Sequence, residues 1–288
     1  MNEFRKENDS LKFINVDCSE SFVDENEKKN IDYLKEFFCE TTLLHNKAKV
    51  ITSTNVFQHT ENIRSFVRGI ATNLCHQGIW CLEFPYILTT LAKDNYDQVY
   101  HEHIYYYSLR NIVDLLKQEG MRVVNVSYHD MHSGTLRVIS TRNTSTIRED
   151  STVQSFLNLE TSITKAYCQK WGKNITYKIV EFKNFFKQMK EEGMNIACFG
   201  AAAKGTIFLN TCGITDKEVR YVIDDTPEKQ GKYIPGTGIK IVGRDGLDPD
   251  VIDMIVILAH NFEDHIIKSF NGSFKGKFVS MFPDIKII

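Results

Sequence analysis

The sequence predicts an α/β protein with a doubly wound sheet, a helical link and a second, smaller α/β unit. Three observations carry this. Short β-rich runs alternate with amphipathic helical segments through the first third of the chain. Residues 151–192 hold apolar side chains at helical spacing with little β character. After them a buried-looking strand, Asn-Ile-Ala-Cys-Phe, enters a run of small residues and leads into a helix and another strand. A chain of 288 residues is long enough for about two such units. The expected division is 1–142, a helical linker at 143–193, and 194–288.

Taken in order, residues 11–17 (Leu-Lys-Phe-Ile-Asn-Val-Asp) alternate like a strand ending in Asp17. An acid at a strand end is where nucleotide-binding sheets take ribose hydroxyls, although no glycine-rich turn stands before it. Residues 26–38 read as a helix with Ile31, Leu34, Phe37 and Phe38 on one face. Residues 49–54 form a strand that runs into Asn55 and His59, a position where open sheets bind ligands. A helix over 61–74 and a strand over 78–84 follow. Residues 109–119 are helical and stop at Gly120. Residues 122–128 and 135–141 make a hairpin at the sheet's end. Arg137 within it could reach a phosphate or sit in a surface ion pair. The helical stretch breaks near Gly172, and its stripe of Tyr177, Phe182, Phe185 and Phe186 belongs to a core.

In the second unit, Gly200-x-Ala202-x-x-Gly205 is a degenerate dinucleotide fingerprint, with Asp224 and Asp225 at the end of the next strand as the spaced acids. Small residues let a phosphate approach the backbone, and the helix start offers free N–H groups. Residues 230–238 are glycine-rich, and 251–258 form an apolar strand followed by His260 and Asn261 on the ligand-binding edge.

Composition narrows the function. A net charge of −2 gives no footprint for nucleic acid. No apolar run reaches the roughly 20 residues that span a bilayer, and the first residues lack the apolar core of a signal peptide. Seven cysteines without a Cys-x-x-Cys pair point to reduced thiols in the cytoplasm and to no structural metal site.

The densest chemistry lies in residues 95–108, Asn-Tyr-Asp-Gln-Val-Tyr-His-Glu-His-Ile-Tyr-Tyr-Tyr-Ser. Two histidines, two carboxylates and five tyrosines fall within fourteen residues. Histidine titrates near neutrality, a glutamate can orient it, and a tyrosine hydroxyl can donate to a developing oxyanion. That set suits removal of a proton beside a carbonyl. An aromatic-rich segment with ordinary histidines is the plain alternative.

Several motifs together resemble a known family. Asn55-Val56-x-x-His59, Glu83, Tyr96-Asp97-x-x-Tyr100-His101-Glu102-His103, His132-Ser133-Gly134-Thr135-Leu136-Arg137, Phe199 to Gly205 and Val222 to Gly236 run in the order found in nucleotide-sugar C-methyltransferases. The resemblance implies a class I methyltransferase-like Rossmann domain, incomplete at its N-terminus, then linking helices and a Rossmann-like domain that binds the nucleotide sugar. It differs in lacking the family's cysteine-rich zinc domain and glycine loop, which leaves a gap for a partner chain or homo-oligomer to fill. The implied cofactor is S-adenosylmethionine, held by Asp17 and Asn55. His103 is the implied base that forms an enolate beside a 4-keto group, which takes the sulfonium methyl; Tyr100, Glu102 and His59 orient the base or stabilise the enolate. Gly200, Ala201, Lys204, Gly205, Arg137 and His132 would hold the sugar nucleotide, the diphosphate at Lys204 and its loop.

Two other functions fit the residues. One is a catalytically degenerate relative that only binds a nucleotide sugar. The other is an NAD-binding oxidoreductase built on the segment from Gly200 to Asp225, although no Ser-Tyr-Lys set stands near that loop.

Overall fold

The structure is a computed structural model that describes residues 10–20, 31–131 and 134–288. Its first part opens with strands β1 (Ile14–Val16) and β2 (Asp32–Leu34), paired in parallel. Then come β3 (Ala48–Thr54), α1 (Ile63–Asn73), β4 (Leu74–Pro85), α2 (Ile87–Ala92), α3 (Leu109–Gln118) and the hairpin β5 (Met121–His129) and β6 (Thr135–Arg142). β3 and β4 run parallel, whereas β6 inserts antiparallel between β4 and β5, so the sheet order is β3-β4-β6-β5. The expected hairpin therefore closes one edge of this sheet.

Asn62 caps α1 by accepting the Ser65 N–H, and α3 ends before Gly120 at φ 73°, the left-handed position that glycine takes without strain. The sheet core is aromatic: Phe57, Trp80 and Phe84 are fully buried, and Phe57 stacks on Tyr107 at 5.0 Å between centroids.

Two expectations change here. The described part of the segment read as a helix over 26–38 is strand at Asp32–Leu34, where the ladder to β1 and a hydrogen bond from the Tyr33 hydroxyl to the Asp17 carbonyl (2.8 Å) outweigh the apolar periodicity. β1 and β2 also form a sheet of their own and do not pair with β3.

The link consists of α4 (Ser151–Leu159) and the 27-residue α5 (Lys165–Glu191). The break falls at residues 160–164 and not at Gly172, which lies inside α5. Glu160 turns its carboxylate back to accept the N–H groups of Leu109 and Arg110 at the start of α3, and Thr164 caps α5. Gly172 is exposed, and its cost of about 1 kcal/mol relative to alanine is one a helix this long absorbs. Phe182 and Phe186 are core residues as expected, whereas Tyr177 is 74% exposed and belongs to the surface.

The second part holds β7 (Ile196–Phe199), α6 (Ala203–Cys212), β8 (Tyr221–Ile223), β9 (Lys240–Val242), β10 (Met254–Ile257), α7 (Glu263–Ser269), β11 (Lys277–Ser280) and β12 (Lys286–Ile287). The sheet order is β12-β11-β10-β7-β8-β9, parallel except at the β12 edge. β7 and β10 are buried throughout, as central parallel strands must be. α5 packs on this sheet through Phe182, whose ring meets Phe208 at 5.5 Å and Phe282 at 5.7 Å. All seven cysteines are free thiols, and among the described residues no helix is long and apolar enough to cross a membrane.

Phe182 has no exposed surface and joins α5 to the second sheet. Phe182→Ala should therefore cost about 3–5 kcal/mol, read from urea unfolding. A loss below about 1 kcal/mol would mean that α5 is not packed as described.

Candidate active site

β3 delivers its chain to the sheet edge at Asn55, whose N–H donates to the Glu83 carbonyl and whose φ is 53°. A short 3-10 turn, Phe57–His59, follows and is locked by the buried Phe57. The segment from Asp94 to Ser108 lies across this turn. The Ile104 N–H donates to the Gln58 carbonyl (2.9 Å), and the Tyr107 hydroxyl donates to the Phe57 carbonyl (3.2 Å). Two loops distant in sequence are thus zipped together, and their histidines meet: the His59 and His103 rings lie 5.0 Å apart.

His103 is buried, with 7% of its surface exposed. Its Nδ1–H donates to the Gln98 carbonyl at 2.9 Å, which leaves Nε2 to accept the Tyr100 hydroxyl at 2.7 Å. His59 is oriented in the same manner: Nδ1–H donates to the Glu102 carbonyl (2.7 Å), and Nε2 accepts from the Gln58 amide (3.3 Å). Glu102 thus acts on His59 through its backbone, while its side chain stands exposed.

Burial drives the His103 imidazole down from its ordinary 6.5 to about 4; the Gln98 carbonyl opposes this, while His59 and Lys204 push it further down. Burial also raises the Tyr100 phenol to about 12, helped by Glu102. At neutral pH the pair is therefore an uncharged imidazole with a protonated phenol against its lone pair. Burial lowers the Lys204 ammonium, and Asp97 pulls it back up.

The second sheet abuts this cluster through the turn at residues 96–98. Gly200 has φ 103°, and a Cβ there would lie 2.9 Å from the Ala259 Cβ; one at Gly205 would lie 2.8 Å from the Gly200 carbonyl oxygen. Both glycines are therefore required by close packing between the loop, α6 and the β10 end. Lys204 stands in the first turn of α6, and α6 abuts the 3-10 turn Tyr96–Gln98. The Tyr96 hydroxyl meets the Cys212 sulfur at 3.5 Å, and the fully buried Asp97 accepts His260 Nε2–H at 2.8 Å.

The structure thus brings His59, Tyr100, Glu102 and His103 into one cluster and sets the loop of Gly200, Ala201, Lys204 and Gly205 beside it. Arg137 is engaged differently, in an ion pair with Glu83 directly opposite on β4. His132 lies outside the described residues. Asp224 is spaced like a ribose acid, yet it closes its own loop: it accepts the Ala201 N–H (2.7 Å), the Thr226 N–H (2.9 Å) and Lys229 (3.3 Å). Burial raises that carboxyl, but these donors outweigh it and hold it below the usual range. Asp225 is held bidentately by Arg244. Sequence reasoning did not assign Asp97 or His260 to the site. Both stand in signals it noted, the tyrosine–aspartate pair before the histidines and the residue after a buried strand.

Further acceptors stand in the first part. Asp17 follows β1 and uses one carboxylate oxygen for the Ser19 N–H. The Asn55 side-chain oxygen and the Gln58 side-chain oxygen are buried and lack a donor. Buried amide oxygens without donors suit a polar cofactor that brings hydroxyls, an amine and an ammonium.

Fold and site define an α/β chain with a histidine–tyrosine cluster set against a loop of small residues. The family described as C-methyltransferase C-terminal domain matches residues 130–283, more than half of the sequence, and the chain belongs to that family. It is 28% identical over 257 residues to C-methyltransferase NovU of Streptomyces niveus; the match covers 86% of this chain and 60% of that protein's length. Among solved structures, the methyltransferase bound to the Trm112 activator of Haloferax volcanii aligns over 49% of this chain and 77% of its own, with 12% identity and a TM-score of 0.41. The plantazolicin methyltransferase BpumL, solved with S-adenosylhomocysteine, aligns over 49% and 71%, with 11% identity and a TM-score of 0.39.

A neutral, buried His103 makes stability depend on acid. Its folded pKa lies below the unfolded value, so its contribution is present above about pH 6.5 and is lost as pH falls toward 4. Denaturant midpoints should drop across that window, and His103→Gln should flatten the drop. An equal drop in the variant would show that His103 is not held neutral.

Proposed function

We propose that the chain is the proton-abstracting and nucleotide-sugar-binding part of an S-adenosylmethionine-dependent C-methyltransferase acting on a nucleotide-linked 4-keto deoxysugar. In this reading, residues 1–142 form the methyl-transfer unit, 143–193 the link, and 194–288 the nucleotide-sugar unit. The observation that carries it is the His103 array: one buried imidazole, its tautomer fixed by Gln98, with a tyrosine hydroxyl on the free nitrogen.

A carbon becomes nucleophilic only when an adjacent carbonyl can accept the charge left by its proton. His103 Nε2 takes that proton once substrate displaces the Tyr100 hydroxyl, and the freed hydroxyl then donates to the enolate oxygen. His59, 5.0 Å away between ring centroids, supplies a second polar wall to the same cleft. Lys204 and the backbone N–H groups in the first turn of α6 hold the diphosphate. S-adenosylmethionine would supply, when bound, an electrophilic methyl group; Asn55, whose buried side-chain oxygen lacks a donor, and Asp17 would hold it.

An imidazole with a pKa near 4 is a weak base, and part of that weakness comes from the Lys204 charge. A diphosphate at Lys204 cancels this charge and should strengthen the base as the substrate arrives.

A binding subunit without catalysis is the second reading. It is favoured by Arg137, which is committed to Glu83. The NAD reading loses ground because Asp224 spends its carboxylate on its own loop. A partner chain or second copy beside β3 is supported by its edge: among the described residues β3 pairs only with β4, and Val50 on it is 48% exposed. Seven free thiols suit a reducing cytoplasm.

Two measurements test the reading. Calorimetry should detect S-adenosylmethionine binding, and His103→Ala should lower turnover of a 4-keto sugar nucleotide by about 100-fold or more without abolishing that binding. Unchanged turnover would remove His103 as the base. In NMR titrations, a nucleoside diphosphate should raise the His103 pKa above about 4; no movement would separate Lys204 from the base.

A further inference from the structure

We infer that His260 is a positioning residue, fixing the His103 tautomer from the second sheet through Asp97. This rests on the reading of His103 as the base.

Three successive residues form the connection. Tyr96 is embedded in the second core, with its ring 5.4 Å from Phe282 and its hydroxyl on Cys212. Asp97 is fully buried and takes its described hydrogen bond from His260 Nε2–H at 2.8 Å. Gln98 offers the carbonyl that receives His103 Nδ1–H at 2.9 Å. His260 itself is held by its own surroundings: it follows β10 and lies 4.8 Å from Phe282, with rings inclined at 33°. The second oxygen of Asp97 is buried without a donor, so the His260 bond dominates what orients that carboxylate.

Upstream, Asp94 is tied to α5 by Asn174 (2.6 Å) and faces Lys178 at 3.6 Å. The loop bearing the candidate base is therefore pinned from both sides, by the Phe57–His59 turn at Glu102 and Ile104 and by the second sheet and the linking helix at residues 94–97. A buried carboxylate has one stable seat, opposite its donor. The Val99 N–H donates to the Tyr96 carbonyl (2.9 Å), so the Gln98 peptide moves with its turn; when the His260 donor is lost, the turn shifts as a unit and the carbonyl no longer selects Nδ1–H over Nε2–H on His103.

The test is a long-range proton–nitrogen correlation spectrum of histidine-labelled full-length chain, which reads the tautomer without substrate or cofactor. Wild type should show His103 as a single Nδ1–H tautomer. His260→Phe, which keeps the ring against Phe282 but removes the donor, should give a mixture. His260→Gln, which keeps a donor, should restore most of the single form. Should His260→Phe not fold, Asp97→Leu tests the same connection by removing the acceptor and the buried carboxylate together. Where turnover is measurable, the donor-less variant should lose tenfold or more in kcat with KM little changed. A His103 tautomer that stays single in folded His260→Phe, or in folded Asp97→Leu, would overturn the inference. A chain inactive in every assay would count against the proposed function but would leave this spectrum fully readable.

Discussion

One buried carboxylate orders the centre of this molecule. Asp97 sits with no exposed surface where the 3-10 turn of the first part meets the second sheet, and a charge there is tolerable only with a fixed donor. His260 provides it. Around that contact the loop from Asp94 to Gln98 becomes a rigid strap, with Tyr96 in the second core and Asp94 against α5. The histidine–tyrosine cluster then inherits its geometry from two sheets at once. This explains why the densest chemistry of the sequence lies in a connection rather than in a strand or helix.

The electrostatics follow from the same burial. His103 is uncharged because it is buried, with His59 and Lys204 pushing its imidazole further down, and burial likewise keeps the proton on Tyr100. Hydrogen bonds then decide which nitrogen is free. A neutral imidazole with one committed N–H and one available lone pair is suited to receive a proton, and its strength is open to adjustment by whatever anion reaches Lys204.

Much of the architecture was legible in the sequence because it is local. The run from residue 195 to Asp224, the hairpin across residues 121–142 and the Gly120 stop are specified by small residues, β-branched runs and turn glycines within a few positions of each other. The misread elements depend on distant partners. Residues 32–34 are strand because β1 offers a ladder, and α4 ends where it does because Glu160 caps α3 some 50 residues earlier in the chain. Gly172 invited a break that a long, well-capped helix does not need. The histidine cluster could be seen from its composition, but the tautomer locks could not, since they use the Gln98 and Glu102 carbonyls. Arg137 and Asp224 looked like ligand contacts because spacing cannot reveal that Glu83 and the Ala201 N–H already occupy them.

The central claim is that His103 removes a proton from a carbon next to a carbonyl. The most direct measurement is proton–deuterium exchange: a 4-keto sugar nucleotide is incubated with the chain in deuterium oxide and followed by NMR. The account predicts deuterium at one carbon adjacent to the keto group, at a rate that collapses in His103→Ala while the nucleotide still binds. Exchange unchanged in that variant, or bound substrate with no exchange at all, would contradict it.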